Sequence, residues 1–327
     1  MKKISCVGFH ATGSGAVDDF LREFNNIEAA KYGVECRFLQ DPDGISDLEY
    51  HLIENKHRLN SGFAIKKFLK LAQNEKRGYE KIFGKNWIPW VQSYIDELSN
   101  FKYKGYWRAD INNQNIIKKY MYYFRRVINM MLPKRIRKTK YYNYFPNEIT
   151  YFSNISKKDF YNITKNKINE LCDIMNKDNK EYVVLDQAFS PQNIDKYFNY
   201  ISDIKIIVVD RDPRDVYIND IIINKDYVLP RDINMFCEVF KYSRINSNYV
   251  NKNILKINFE DIIYDYENTT QKIIDFLELK EENHILKRKV FIPEKSKNNT
   301  KLWLKYPQYN NEIKIIEDKL KDYLYKY

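Results

Sequence analysis

Two short stretches of the chain hold residue types that could do chemistry together. The first, VGFHATGSGAV at 7–17, carries Gly8 and Gly13 in the register G-x-x-x-x-G. A glycine-rich turn entering a helix aims several backbone N–H groups at one spot, and the helix dipole adds positive potential. A phosphate can then be held without a charged side chain. A nucleoside-triphosphatase loop would continue with Lys and then Ser or Thr, but here Ser14 and Gly15 follow Gly13. The lysine for the terminal phosphates and the hydroxyl for Mg²⁺ are both missing, which argues against ATP hydrolysis. The second stretch, IKIIVVDRDPRDVYIND at 204–220, concentrates two arginines, two aspartates and a proline directly after an apolar run. Arginine can take a phosphate bidentately, and Asn219 lies about one helical turn further on. Taken singly, the glycines suit a plain strand-to-helix turn equally well, and RDPRD suits a surface network of ion pairs.

The elements that must position these residues can be read from apolar spacing. Ile4 to Phe9 reads as a strand, and Val17, Phe20, Leu21 and Phe24 recur at helical spacing after the glycine turn. A second short strand is expected over 32–39, ended by the turn DPDG at 41–44. Helices are expected over 45–53, 62–72, 87–98 and 158–175. YVVLD at 182–186, IKIIVVD at 204–210 and ILKINF at 254–259 look like buried parallel strands, with helical segments such as 194–201 and 269–279 after them. Strands separated by helices predict a three-layer α/β sandwich around a parallel sheet with right-handed crossovers. A strand ending at Asp210 would put RDPRD at the C-terminal edge of that sheet, where open α/β sheets bind ligands. Residues 101–150 differ in texture: they are rich in tyrosine and contain MYYFRRVINMMLP at 121–133 and KRIRKTK at 134–140. The expectation is one domain over 1–327 with a helical, Tyr/Lys-rich insertion at about 101–150.

The 327 residues are 44% hydrophobic and 30% charged, which suits a folded chain with a hydrated surface. Fifty-five basic against 44 acidic residues leave a charge of +11, which attracts anions without choosing among them. A nucleic-acid partner would rest on that charge alone and is not expected. Cys6, Cys36, Cys172 and Cys237 form no CxxC pair, so neither a disulfide framework nor a metal site is predicted. The apolar run in MKKISCVGF is too short for a secretion signal, and the expected location is the cytoplasm. The basic, aromatic segment after residue 120 leaves room for peripheral contact with the inner membrane face or with anionic glycans. Its spacing is equally that of a core helix with a solvated basic run.

Together these stretches resemble the sulfotransferases that use 3′-phosphoadenosine-5′-phosphosulfate (PAPS). GFHATGSGAV resembles their 5′-phosphosulfate loop, and DRDPRDVYIND their 3′-phosphate segment. KINFEDIIYDYENTTQKIIDFLEL at 256–279 resembles their late strand, Glu-Asp pair and helix, and SKNNTKLW at 296–303 the basic loop that closes over the nucleotide. The resemblance implies a P-loop NTPase-like fold and sulfuryl transfer from PAPS to a hydroxyl or amine, with a carbohydrate or glycolipid as the expected acceptor. It implies that His10, Ala11, Thr12, Gly13, Ser14, Gly15 and Ala16 form the loop around the 5′-phosphate, with Thr12 to Gly15 as its cradle. Arg211 and Asn219 would take the 3′-phosphate, and Lys297 and Lys301 would add contacts from the late loop.

The departures concern charge. Ala11 stands where the family has a lysine, Ser14 replaces a threonine, and Asn219 replaces a serine. Arg58 or Lys66 are candidates for the missing cation. Glu35 and His57 are the candidate catalytic bases, each also readable as an ordinary surface or hydrogen-bonded residue. Asp186 and Gln187 follow a strand that reaches the same edge, where the family often has an acid and a lysine. Two alternatives stay open: a catalytically impaired nucleotide- or glycan-binding relative, and a P-loop kinase-like enzyme.

Overall fold

The β-branched runs become strands in the computed structural model, which describes residues 1–30, 34–139 and 147–327. The strands are β1 (Lys2–Gly8), β2 (Ile27–Ala29), β3 (Phe101–Lys104), β4 (Ile149–Phe152), β5 (Tyr182–Val184), β6 (Ile204–Asp210) and β7 (Ile254–Asn258). Five of them make a parallel sheet in the order β2-β5-β1-β6-β7, so the chain has an α/β fold around a central parallel sheet. β1 and β6 run in register from Lys3 beside Ile204 to Gly8 beside Val209, which brings the glycine loop and RDPRD to the same edge. The connection after β1 leads towards one side of the sheet and that after β6 towards the other. Their C-terminal ends therefore flank a topological switch point, the place where a crevice opens in such sheets.

The chain's contacts divide it into two units, one comprising 1–40, 77–86 and 168–327, the other 41–76 and 87–167. In the first unit, the helix Gly15–Leu21 and the helix Tyr266–Leu277 lay Val17, Phe20, Leu21, Ile273 and Leu277 against Ile4 and Cys6 of β1. The end of the first of these helices is tied down by Glu23, whose fully buried carboxylate accepts from His284 Nε2 at 2.6 Å and from the N–H groups of Val290 and Phe291 at 3.1 Å.

The second unit contains the residues of the expected insertion and organises them around aromatic rings. Trp87, Trp90 and Tyr94 stack at 5.5 Å along the helix Trp87–Leu98. Their polar atoms reach the Ala72 carbonyl, the Lys167 carbonyl and the Thr164 hydroxyl. The antiparallel pair β3–β4 packs against the helix Arg58–Asn74 at Gly62, where a Cβ would stand 2.8 Å from the Tyr151 carbonyl oxygen.

One expected strand is corrected. Residues 32 and 33 lie outside the described residues; Val34 to Cys36 are irregular and Arg37–Leu39 form a turn of 3₁₀ helix. The edge strand is instead Ile27–Ala29, paired with Tyr182–Val184. The Phe38 and Leu39 side chains are both buried, although successive residues of a strand point to opposite faces, and a tight helical turn suits that pair better.

Glu23→Ala would leave an imidazole and two buried backbone donors without their acceptor, so a stability loss on the order of 3 kcal/mol is expected from urea unfolding. A midpoint equal to that of the wild type would show that the carboxylate does not hold this end of the unit.

Candidate functional site

A cavity of about 500 Å³ opens at the switch point, and all eight residues from Gly8 to Gly15 line it. Its wall continues through Glu35, Arg37 and Gln40 on one side and Leu229, Phe240, Ser243 and Arg244 on the other. The loop's path demands glycine at positions 8 and 13. A Cβ on Gly8 would stand 2.4 Å from Thr12 Oγ1, and one on Gly13, whose φ is +84°, would stand 2.5 Å from the Phe259 ring. Ala11 also adopts a left-handed conformation, φ 60°. Thr12 Oγ1 donates to the Phe9 carbonyl at 2.8 Å, so this hydroxyl shapes the loop from inside and is buried.

Gln187 fastens the loop at both ends. Its Oε1 accepts from Gly8 N–H at 3.3 Å, its Nε2 donates to Ser14 Oγ at 2.5 Å, and its own carbonyl accepts from Gln40. The signal for this role was its position directly after a buried strand.

The DRDPRD segment turns its charges inward. Asp210, at the end of β6, is gripped by Arg244, whose guanidinium lies between the Phe9 and Phe240 rings. Burial alone would raise the Asp210 carboxyl, but Arg244, Lys256 and the Arg211 N–H outweigh it and hold it below its ordinary value. Arg211 is 5% exposed and donates to the Ala11 carbonyl at 2.9 Å and to the Asn299 carbonyl. Burial pulls its guanidinium down while Asp215 and Glu260 push it back up. Asp212 caps the helix Pro213–Ile218, and Asp215 accepts from the N–H groups of Lys301 and Leu302. RDPRD is thus a clamp between the glycine loop and the late loop.

The sequence-predicted residues separate accordingly. The loop residues and Glu35 come together, Glu35 lying 3.4 Å from Arg37 at the cavity wall. Arg211 and Asn219 do not line the cavity; the former is engaged with the backbone, and the latter is half-buried where the helix widens into a π-turn, Asn219–Asn224. Lys297 and Lys301 do not line it either: Lys297 lies over the Tyr264 ring, and Lys301 over the rings of Tyr264 and Tyr327. His57 is exposed in the second unit, where its carbonyl accepts from Asn60 and Ser61 at the start of the helix Arg58–Asn74. Arg58 is exposed in that unit too, and Lys66 is held there by Asp110 and Glu148, each at 2.8 Å.

His10 is the loop residue whose partner was not foreseen. Its Nε2 meets Oδ1 of Asp220, a fully buried carboxylate whose other oxygen accepts from Leu229 N–H at 3.2 Å. Asp220 follows Asn219 in the quoted segment, and nothing local distinguishes the two. Asp226 brings a third donor atom within 4.8 Å of the pair, so among the described residues this trio could also hold a cation.

Next to the loop, Asp186 is raised to about 8 by burial first and by the Asp18 and Glu35 charges second. Its Oδ1 is buried without a hydrogen-bond partner.

No protein-family model and no curated protein matches the chain.

Two outcomes follow. The folded chain keeps the Asp186 proton up to about 8, whereas an exposed aspartate loses it near 3.8. The folded state therefore binds more protons across that window, and the group's contribution to stability falls as pH rises through it. Asp186→Asn is expected to flatten that slope in urea unfolding and to raise the midpoint at pH 8; an unchanged slope would show that the carboxyl is ionised in the fold. Gly13→Ala, which sets a Cβ against Phe259 at a positive φ, is expected to cost about 2 kcal/mol or more by the same measurement.

Proposed function

We propose that the chain transfers a sulfuryl group from PAPS to a hydroxyl or amine acceptor, with a carbohydrate or glycolipid as the acceptor class. The observation that carries this reading is the glycine loop lining a cavity at the switch point between β1 and β6. The clamp by which Arg211 joins that loop to the late loop supports it, because it unites three of the four stretches that resemble the family. A P-loop NTPase-like assignment of the fold belongs to the same proposal and is supported by the strand, glycine loop and helix at the head of the sheet.

In the reaction, the acceptor oxygen or nitrogen attacks sulfur in line. A bond from acceptor to sulfur forms, the bond from sulfur to the 5′-phosphate oxygen breaks, and 3′-phosphoadenosine-5′-phosphate (PAP) leaves with the electron pair. A base must take the acceptor proton, and positive charge must meet the leaving phosphate. His10, oriented by Asp220, and Glu35 are the proton acceptors that line the cavity. Arg37 is the exposed cation of that wall and supplies the charge that Ala11 lacks. Arg211 acts as a positioning residue for the loop.

The test is thermal stabilisation of the full chain by PAP and by ATP, followed by transfer of radiolabelled sulfate from PAPS to extracted glycans and glycolipids. Stabilisation by PAP together with transfer is the expected result. Asp220→Asn is expected to lower the transfer rate about a hundredfold and to change its pH profile, with PAP stabilisation kept. PAP binding without transfer to any acceptor would replace the proposal by the non-catalytic relative, and stabilisation by ATP alone would replace it by the kinase-like enzyme. No stabilisation by either would overturn the site.

A further inference from the structure

The helix Ile116–Met131 has no buried residue, although eleven of its sixteen side chains are Ile, Met, Val, Phe or Tyr. At about 100° per residue, Ile117, Tyr120, Phe124, Val127 and Met131 fall within one narrow stripe, and all five are exposed, Ile117 by 71% and Met131 by 80%. The opposite side carries Lys118, Lys119, Arg125 and Arg126. Between Asp110 and Glu148 the sequence holds nine Lys or Arg, four on this helix and five after it, and no Asp or Glu. Exposed apolar surface of this extent is costly in water and marks an interaction face.

We infer that this helix docks flat on an anionic lipid membrane surface, with the stripe in the acyl boundary and the cations among the headgroups. An apolar stripe opposite an all-basic face is the pattern of interfacial helices. No described helix is long and apolar enough to cross a membrane, and sixteen residues fall short of a span, so the helix lies on the surface. A second copy of the chain is the less favourable occupant. A two-fold contact through the stripe would leave the cations of the opposite side facing away, with no acidic residue of the stretch to offset them, whereas an anionic surface takes up both the stripe and the charge. The docking is independent of the chemistry proposed for the cavity.

The experiment is co-sedimentation of the full chain with phosphatidylcholine vesicles, with and without phosphatidylglycerol, alongside Phe124→Asp/Val127→Asp and Lys118→Glu/Lys119→Glu. Binding to the anionic vesicles, weak binding to the neutral ones and a loss of about tenfold or more in each variant are expected. Phe124, Val127 and Lys118 are exposed and Lys119 is half-buried, so the variants should keep the wild-type melting temperature. Equal binding to neutral vesicles, or full binding by the Phe124→Asp/Val127→Asp variant, would overturn the inference. So would a dimer of the wild type, seen by sedimentation velocity, that this variant dissolves.

Discussion

A buried guanidinium joins segments that lie almost the whole chain apart. Arg211 donates to the carbonyls of Ala11 and Asn299, and the two aspartates beside it hold the helix cap and the N–H groups of the late loop. A charge at that depth is tolerated because it is hydrogen-bonded and faces carboxylates. The glycine loop keeps its left-handed turn at Ala11 because the carbonyl there has a fixed partner. The shape of the cavity depends on this clamp, since the loop forms its floor and Gln187 fastens only the loop's two ends.

Around the cavity, charge is arranged in pairs. Arg244 holds Asp210 at the end of β6, Asp220 holds His10 within the loop, and Arg37 stands beside Glu35 at the wall. Burial and the Asp18 and Glu35 charges raise Asp186 to about 8, whereas at Asp210 the Arg244 and Lys256 charges outweigh burial. The difference between Asp210 and Asp186 is therefore one of partners and not of depth. Both sit at strand ends and both are buried.

The second unit solves a different problem with the same residue types. Its aromatic rings go inside where an N–H or O–H can reach a carbonyl or hydroxyl, as for Trp87, Trp90 and Tyr94. Aromatic and aliphatic residues of 116–131 instead remain at the surface, on a helix that also carries four cations. Helical spacing reads alike in the two cases, and what separates them is whether another element covers the stripe.

The sequence by itself determined the strands that pair in the sheet's centre, the glycine turn after β1 and the arrival of DRDPRD at the same edge. These follow from local periodicity and from the residues that only certain backbone shapes accept. Glu35 at the cavity wall was legible as a candidate, although its segment is a 3₁₀ turn and irregular chain, not the expected strand. Only the tertiary structure decided which way the charges face. Arg211 and Lys301 look like anion ligands in one dimension, but burial and hydrogen bonding turn one to the backbone, and aromatic rings take up the other. His10 and Asp220 are separated by 210 positions, and no local pattern announces their pairing. It exists because β1 and β6 are neighbours, which is a property of the sheet's order and not of either segment.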